Sequence, residues 1–251
     1  MRRRTGILIG AVLIAVIVVG VNIVIHLNTT SRANQRSQTN QHTTSIPDTD
    51  VLQLGKPDSA WQNGSGTPSD GKDTNAQRRP TRQLTNSAKQ IIIYFSRSGS
   101  TEMLADKIAA DTGADMLEIV VRDTYSGNYQ KTLARANAER ESDDYPALNM
   151  DVPDLSQYDT VYLGYPIWAM TLAHPMTAFL TEYGDRLGAK KIAPFMSQGG
   201  YGQGDSVNRI ENILKSDGAS NNIMTSALVI DGNKINKVDE QVENWVKRVQ
   251  S

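Results

Sequence analysis

The chain has no cysteine and only three histidines, His26, His42 and His174. The first absence excludes a disulfide framework, a zinc ribbon, a cysteine-ligated iron–sulfur cluster, a lipoprotein anchor and a cysteine nucleophile. The wide spacing of the histidines argues against a histidine-rich metal site. Charge of one sign is also lacking. The 26 basic and 27 acidic residues leave a net of −1, without the basic excess that a nucleic-acid-binding face requires.

That balance is a cancellation between two parts. Residues 1–88 carry 10 Lys/Arg against 5 Asp/Glu, net +5, and residues 89–251 carry 16 against 22, net −6. Apolar content is segregated too. A solid apolar block at Ile7–Leu27 is followed by an apolar-poor tract, and ordinary globular composition begins near Lys89. The reading is three regions: 1–27, 28–88 and 89–251.

Ile7–Leu27 holds no charge when His26 is neutral. At 1.5 Å per residue it spans about 31 Å as a helix, the thickness of a bilayer core. Arg2-Arg3-Arg4 precedes it, and positive charge stays on the cytoplasmic side. The segment reads as a signal anchor and transmembrane helix, with the N-terminus cytoplasmic and the rest of the chain extracytoplasmic. It is longer than the apolar centre of a secretory signal peptide, about 7–15 residues. The small residues of Ser31-Arg32-Ala33 leave cleavage, and so secretion, as the alternative. Residues 28–88 are rich in Ser, Thr, Asn, Gln, Asp, Gly and Pro, with Trp61 the only aromatic. Such a tract buries too little apolar surface to offset its ordering entropy and is expected to be a disordered tether. Within it, Val51-Leu52-Gln53-Leu54 is either a short interaction motif or an incidental apolar patch.

From Lys89 the pattern alternates. Strands are expected at Ile91–Phe95, Met116–Val121, Thr160–Tyr165, Ile192–Met196 and Ile223–Ile230. Helices are expected at Thr101–Ala110, Tyr129–Glu141 (Leu133, Ala134 and Ala138 on one side), Pro175–Tyr183, Ser206–Leu214 and Val238–Val249. Five strands alternating with helices imply an α/β fold, a doubly wound parallel sheet. Ligands of such folds sit beyond the carboxyl ends of the strands, where the strand order reverses.

Three segments leave those ends. Ser96-Arg97-Ser98-Gly99-Ser100-Thr101 brings four hydroxyls and a glycine to a helix N-terminus, where unpaired amides and the helix dipole favour an anion. Capping by Ser100 or Thr101 with Glu102 is the bland alternative. The segment is neither a Walker loop nor a dinucleotide fingerprint. Gly164-Tyr165-Pro166-Ile167-Trp168-Ala169-Met170-Thr171 places an indole at the end of the third strand. It either stacks on a flat ligand or packs as core. Ser197-Gln198-Gly199-Gly200-Tyr201-Gly202-Gln203-Gly204 permits close backbone approach to a ligand and adds a second aromatic face. No acid–base pair, nucleophile or metal-ligand set stands out, and Asp143-Asp144, Asp151 and Asp154 read as solvated loop charges.

Over residues 90–250 these motifs resemble a flavodoxin. Tyr94–Thr101 resembles the family's phosphate loop, and Gly164–Trp168 and Ser197–Gly202 resemble the loops on the two sides of the isoalloxazine. The resemblance implies a five-stranded parallel sheet of order 2-1-3-4-5 and flavin mononucleotide (FMN) as cofactor. It implies that Ser96, Ser98, Ser100, Thr101 and the amides of Arg97 and Gly99 hold the phosphate. Trp168 and Tyr201 would sandwich the ring. Amides of Pro166–Met170 and Ser197–Gly202 other than proline would face its polar edge. The family usually has asparagine where Ser100 stands, and close relatives often have glycine after the tryptophan where Ala169-Met170 stand here. The function implied is electron transfer between FMN and a membrane or extracytoplasmic redox protein or quinone. The alternatives are an FMN-dependent nicotinamide:quinone-type reductase and a flavin-free binding module.

Overall fold

The computed structural model describes residues 51, 53–61 and 80–251. The transmembrane segment expected at Ile7–Leu27 lies outside the described residues, as does most of the expected tether. Among the described residues no helix is long and apolar enough to cross a membrane.

The sheet grows from the most apolar run in the domain. Strand β2 (Gln90–Tyr94) is buried on both faces, as its unbroken isoleucines predict. Successive side chains point to opposite sides, so Ile91 and Ile93 enter one core and Ile92 and Tyr94 the other. The first core is closed by helices α4 (His174–Tyr183) and α5 (Ser206–Ser216), through Met176, Phe179, Leu180, Ile210 and Leu214. The second is closed by α2 (Ser100–Thr112) and α6 (Asp239–Gln250), through Leu104, Ile108, Val242, Trp245 and Val249.

Strand β2 pairs in parallel with β3 (Asp115–Glu118) on one side and β4 (Thr160–Trp168) on the other. Strand β4 pairs with β6 (Lys191–Gln198), which pairs with β7 (Ile223–Met224) and β8 (Leu228–Asp231). With β7 and β8 counted as one broken strand, the parallel core has the order 2-1-3-4-5 inferred from the resemblance. The break lies at 225–227, where the Ser226 carbonyl accepts the indole N–H of Trp245 at 2.7 Å.

Besides this break in the expected fifth strand, the structure departs from the sequence reading in four places. The second strand ends at Glu118 rather than Val121, and Val121 makes only an isolated bridge to Leu148. The third strand runs on to Trp168 and doubles back as β5 (Thr171–Leu172), pairing Ile167 with Leu172 and Trp168 with Thr171. What read as a loop is a two-residue hairpin. Its central residues Ala169 and Met170 have φ of 49° and 68°, the pattern of a type I′ turn. Helix α3 (Tyr129–Ser142) buries Thr132 and Ala136, and Leu133 remains 38% exposed. Leu133 is therefore not on a core stripe. A weakly apolar helix sets its inward face by what its neighbours offer, here hydrogen bonds as much as apolar contact.

The fourth departure concerns residues assigned to the disordered tether. Strand β1 (Arg82–Gln83) pairs antiparallel with β3, joining Arg82 to Leu117 and Gln83 to Met116. The buried Asp115 accepts hydrogen bonds from the Thr85 amide and hydroxyl at 2.8 and 2.9 Å and from Tyr158 at 2.7 Å. Backbone pairing and a buried carboxylate need no apolar side chains, so composition gave no sign of them. Farther back, Val51 is buried in the α2/α6 core, and Asp58–Trp61 forms a single turn of helix, α1.

Candidate functional site

The three segments leave β2, β4 and β6 at the same end of the sheet and line one cavity of about 360 Å³. That volume suits a small-molecule site.

Helix α2 begins at Ser100 behind Gly99, whose φ of 88° turns the chain sharply into the helix, and no side chain caps it. The hydroxyls go elsewhere. Ser96 Oγ accepts the Gly99 amide at 3.1 Å, and the Thr101 and Ser197 hydroxyls lie 2.8 Å apart. Ser100 Oγ donates to Gln53 Oε1 at 3.1 Å. Ser98 lines the cavity, and among the described residues its hydroxyl has no hydrogen-bond partner. The Arg97 guanidinium donates to the carbonyls of Ser126 and Gly127 at 2.8 and 2.9 Å, so it braces that loop. An anion here would meet backbone amides and the positive end of a helix dipole.

In the second segment Pro166, Ile167, Trp168, Ala169 and Met170 all line the cavity. Trp168 is half-buried and meets Tyr125, Phe95 and His174 edge-on, with ring centroids 4.9, 5.8 and 5.8 Å away. Core packing and cavity lining, opposed in the sequence reading, are both true of it. Met170 is 44% exposed.

In the third segment Ser197, Gln198, Gly199, Tyr201 and Gly202 line the cavity, and Tyr201 is 56% exposed. Gln198 organises the loop. Its Oε1 accepts the amides of Gly200 and Gly202, and its Nε2 donates to Asp231. Gly99 and Gly200 shape their turns without lining the cavity.

The far wall was not legible in the sequence. Tyr129, Thr132, Leu133, Ala136, Asn137 and Arg140 of α3 line it, together with His174. Behind them Glu139 accepts from Arg135 Nε at 2.7 Å, Tyr125 OH at 2.7 Å and His174 Nδ1 at 2.8 Å. Burial pushes the Glu139 carboxyl up, but hydrogen bonds from His174, Tyr125 and Arg135 outweigh it and hold the group below its ordinary value. Burial, and then Glu139 itself, push the Tyr125 phenol well up. Arg135 also lies 4.0 Å from the centroid of the Tyr125 ring. His174 thus presents a carboxylate-oriented imidazole to the cavity. The Arg135-x-x-x-Glu139 spacing, one helical turn, was the only available hint of this cluster. Among the described residues no group of His, Asp or Glu is arranged to hold a metal.

A family model described as flavodoxin matches residues 89–249. Among solved structures, a protein from Bacteroides uniformis assigned as a flavoprotein is 24% identical, with a TM-score of 0.53 over 64% of this chain and 99% of that one. Its counterpart from Bacteroides eggerthii is 22% identical, with a TM-score of 0.53 over 65% and 99%. A flavoprotein from Lactobacillus acidophilus, crystallised with FMN, is 22% identical, with a TM-score of 0.49 over 60% and 97%. Identities this low speak for the fold alone. No curated protein sequence matches the chain significantly.

Proposed function

Because the chain belongs to the flavodoxin family, we propose that its cavity binds FMN and that the protein carries electrons. The observation that supports this most is the uncapped start of α2 behind Gly99, at the floor of a cavity walled by Trp168 and Tyr201. A phosphate needs the first feature and a flat heteroaromatic ring the second. The cavity also lies at the switch point, because the chain leaves β2 for β3 on one side and returns as β4 on the other.

Bound FMN would supply the electron-transfer chemistry, and the protein binding and tuning. The amides of Arg97, Ser98, Ser100 and Thr101 and the Ser98 hydroxyl would hold the phosphate, with Gly99 braced by Ser96. Trp168 and Tyr201 would flank the ring, and amides of the second and third segments would meet its polar edge. The net charge of −6 on residues 89–251 disfavours added negative charge and would lower the potential for full reduction. We further propose that Ile7–Leu27 anchors the chain in a membrane with the domain on the extracytoplasmic side. The redox partner would then be a membrane protein or quinone within reach of the tether.

The deciding experiment is a visible spectrum and fluorescence titration of the purified chain with FMN. Absence of bound flavin and of fluorescence quenching would refute the reading. The orientation is checked by protease treatment of intact, wall-free cells, where survival of the domain would contradict it.

The imidazole that Glu139 orients toward the cavity favours a second reading, an FMN-dependent reductase of quinones in which His174 supplies a proton to the reduced substrate. Steady turnover of a nicotinamide with a quinone would favour it. Bleaching of the flavin only by a partner protein or a chemical reductant favours the carrier.

A further inference from the structure

A short stretch of the polar tract reaches the cavity beside the start of α2. Val51 is buried in the α2/α6 core and anchors the stretch at one side. A turn follows, with the Leu54 amide on the Val51 carbonyl at 3.2 Å and Gly55 at a φ of 75°. At the other side the loop after β8 grips the backbone. The Gly55 amide donates to the Asn233 carbonyl at 3.2 Å, and Asn233 Nδ2 donates to the Lys56 carbonyl at 2.7 Å and to Asp58 at 3.2 Å. Lys234 adds an ion pair with Asp58 at 3.0 Å.

Between these anchors stands Gln53. Its side chain lines the same cavity as Ser98, Ser100 and Thr101, and its Oε1 accepts the Ser100 hydroxyl at 3.1 Å. A carboxamide carries its acceptor and its two N–H donors on one rigid plane. With the oxygen fixed on the first residue of α2, the donors stay beside the helix N-terminus. Among the described residues nothing accepts from them. The strap thus brings a neutral donor, from 47 positions earlier in the chain, to a cavity that no lysine lines and where the Arg97 guanidinium donates to the carbonyls of Ser126 and Gly127.

We propose that Val51 and residues 53–58 belong to a strap of the binding site and that Gln53 is a ligand-contacting residue, its carboxamide donating to the phosphate group of FMN. This rests on the FMN reading of the cavity. The strap makes the polar tract part of cofactor retention as well as a spacer.

The test compares FMN with riboflavin, which lacks the phosphate, by fluorescence titration and dissociation kinetics on the full chain and on Gln53→Ala. A hydrogen bond to a charged group sets the scale. Gln53→Ala should weaken FMN about tenfold or more, with faster dissociation, and leave riboflavin unchanged. Gln53→Glu, which sets a carboxylate against the phosphate, should weaken FMN further and again spare riboflavin. Asn233→Ala, which releases the strap, should act in the same direction as Gln53→Ala. FMN affinity unchanged in Gln53→Ala would overturn the assignment. So would equal loss of both flavins, which makes the strap a general support. Tighter FMN binding would overturn it as well, by making Gln53 a plug that the phosphate displaces. A wild-type chain that binds riboflavin and FMN equally also overturns it. One that binds neither refutes the FMN reading itself.

Discussion

Gly204 packs against the backbone of Met170 so closely that a Cβ on it would lie 1.8 Å from the Met170 carbonyl oxygen. The same carbonyl accepts the Asp205 amide at 3.0 Å. One contact thus couples the β4–β5 hairpin that carries Trp168 to the glycine loop that carries Tyr201. At a φ of 54° Gly204 is also in the left-handed region, so a side chain there is opposed twice. Gly204→Ala should cost about 1–3 kcal/mol in urea unfolding, and FMN affinity should fall with it because the two walls move apart. Wild-type affinity in a folded Gly204→Ala protein would show that the walls are independent.

The hairpin itself holds avoidable strain. Ala169 and Met170 occupy the two positive-φ positions of a type I′ turn, which Asn-Gly fills best. The double substitution Ala169→Asn/Met170→Gly should stabilise the domain by about 1 kcal/mol, the scale of relieving left-handed residues less the entropy of the new glycine. A thermal melt of the two proteins checks this, and a lower midpoint would contradict the turn assignment.

Trp168 and Tyr201 should separate stability from binding. Tyr201 is 56% exposed, so Tyr201→Ala should leave unfolding free energy within about 0.5 kcal/mol while weakening FMN. Trp168 is wedged against Phe95, Tyr125 and His174, so Trp168→Ala should lower both, with about 2–3 kcal/mol lost on unfolding for a half-buried ring. Unchanged flavin affinity in either variant would reject that residue's stacking role.

The Glu139 cluster sets a pH dependence. The folded carboxyl titrates below its unfolded value, so its contribution is fully present above the ordinary carboxylate range. It is lost as pH falls from there through the lowered folded value, when the group protonates. Glu139→Gln should therefore be less stable than wild type at pH 7, with the gap narrowing as pH drops below about 4.5. Paired denaturant titrations across that window measure it. A gap independent of pH would assign the loss to shape rather than charge.

Much of this was legible in the sequence because its causes are local. The isoleucines of β2 announce a strand buried on both faces, and the Val242, Trp245, Val246, Val249 stripe of α6 announces its buried side. The Ser96–Thr101 segment announces a helix start. What stayed hidden depended on partners distant in sequence. Strand β1 exists because β3 offers a free edge, and the Thr85–Asp115–Tyr158 bonds fasten it. On α3 it is Thr132 and Ala136 that are buried, while Leu133 lines the cavity and stays exposed.

The same division holds for function. The absence of cysteine excluded thiol chemistry, and the resemblance of three segments to those of a flavodoxin implied one cofactor. Composition and periodicity are enough for the strands, the helices and the segments that leave them, because burial and backbone geometry act residue by residue. Only the tertiary structure decided where the hydroxyls of Ser96, Ser100 and Thr101 are spent, because a hydrogen bond depends on which groups are brought within reach. Ser96 braces Gly99, Thr101 meets Ser197, and Ser100 reaches Gln53. By the same token it placed His174, one of only three histidines, against Glu139 at the cavity wall, a position that no spacing in the chain could foretell.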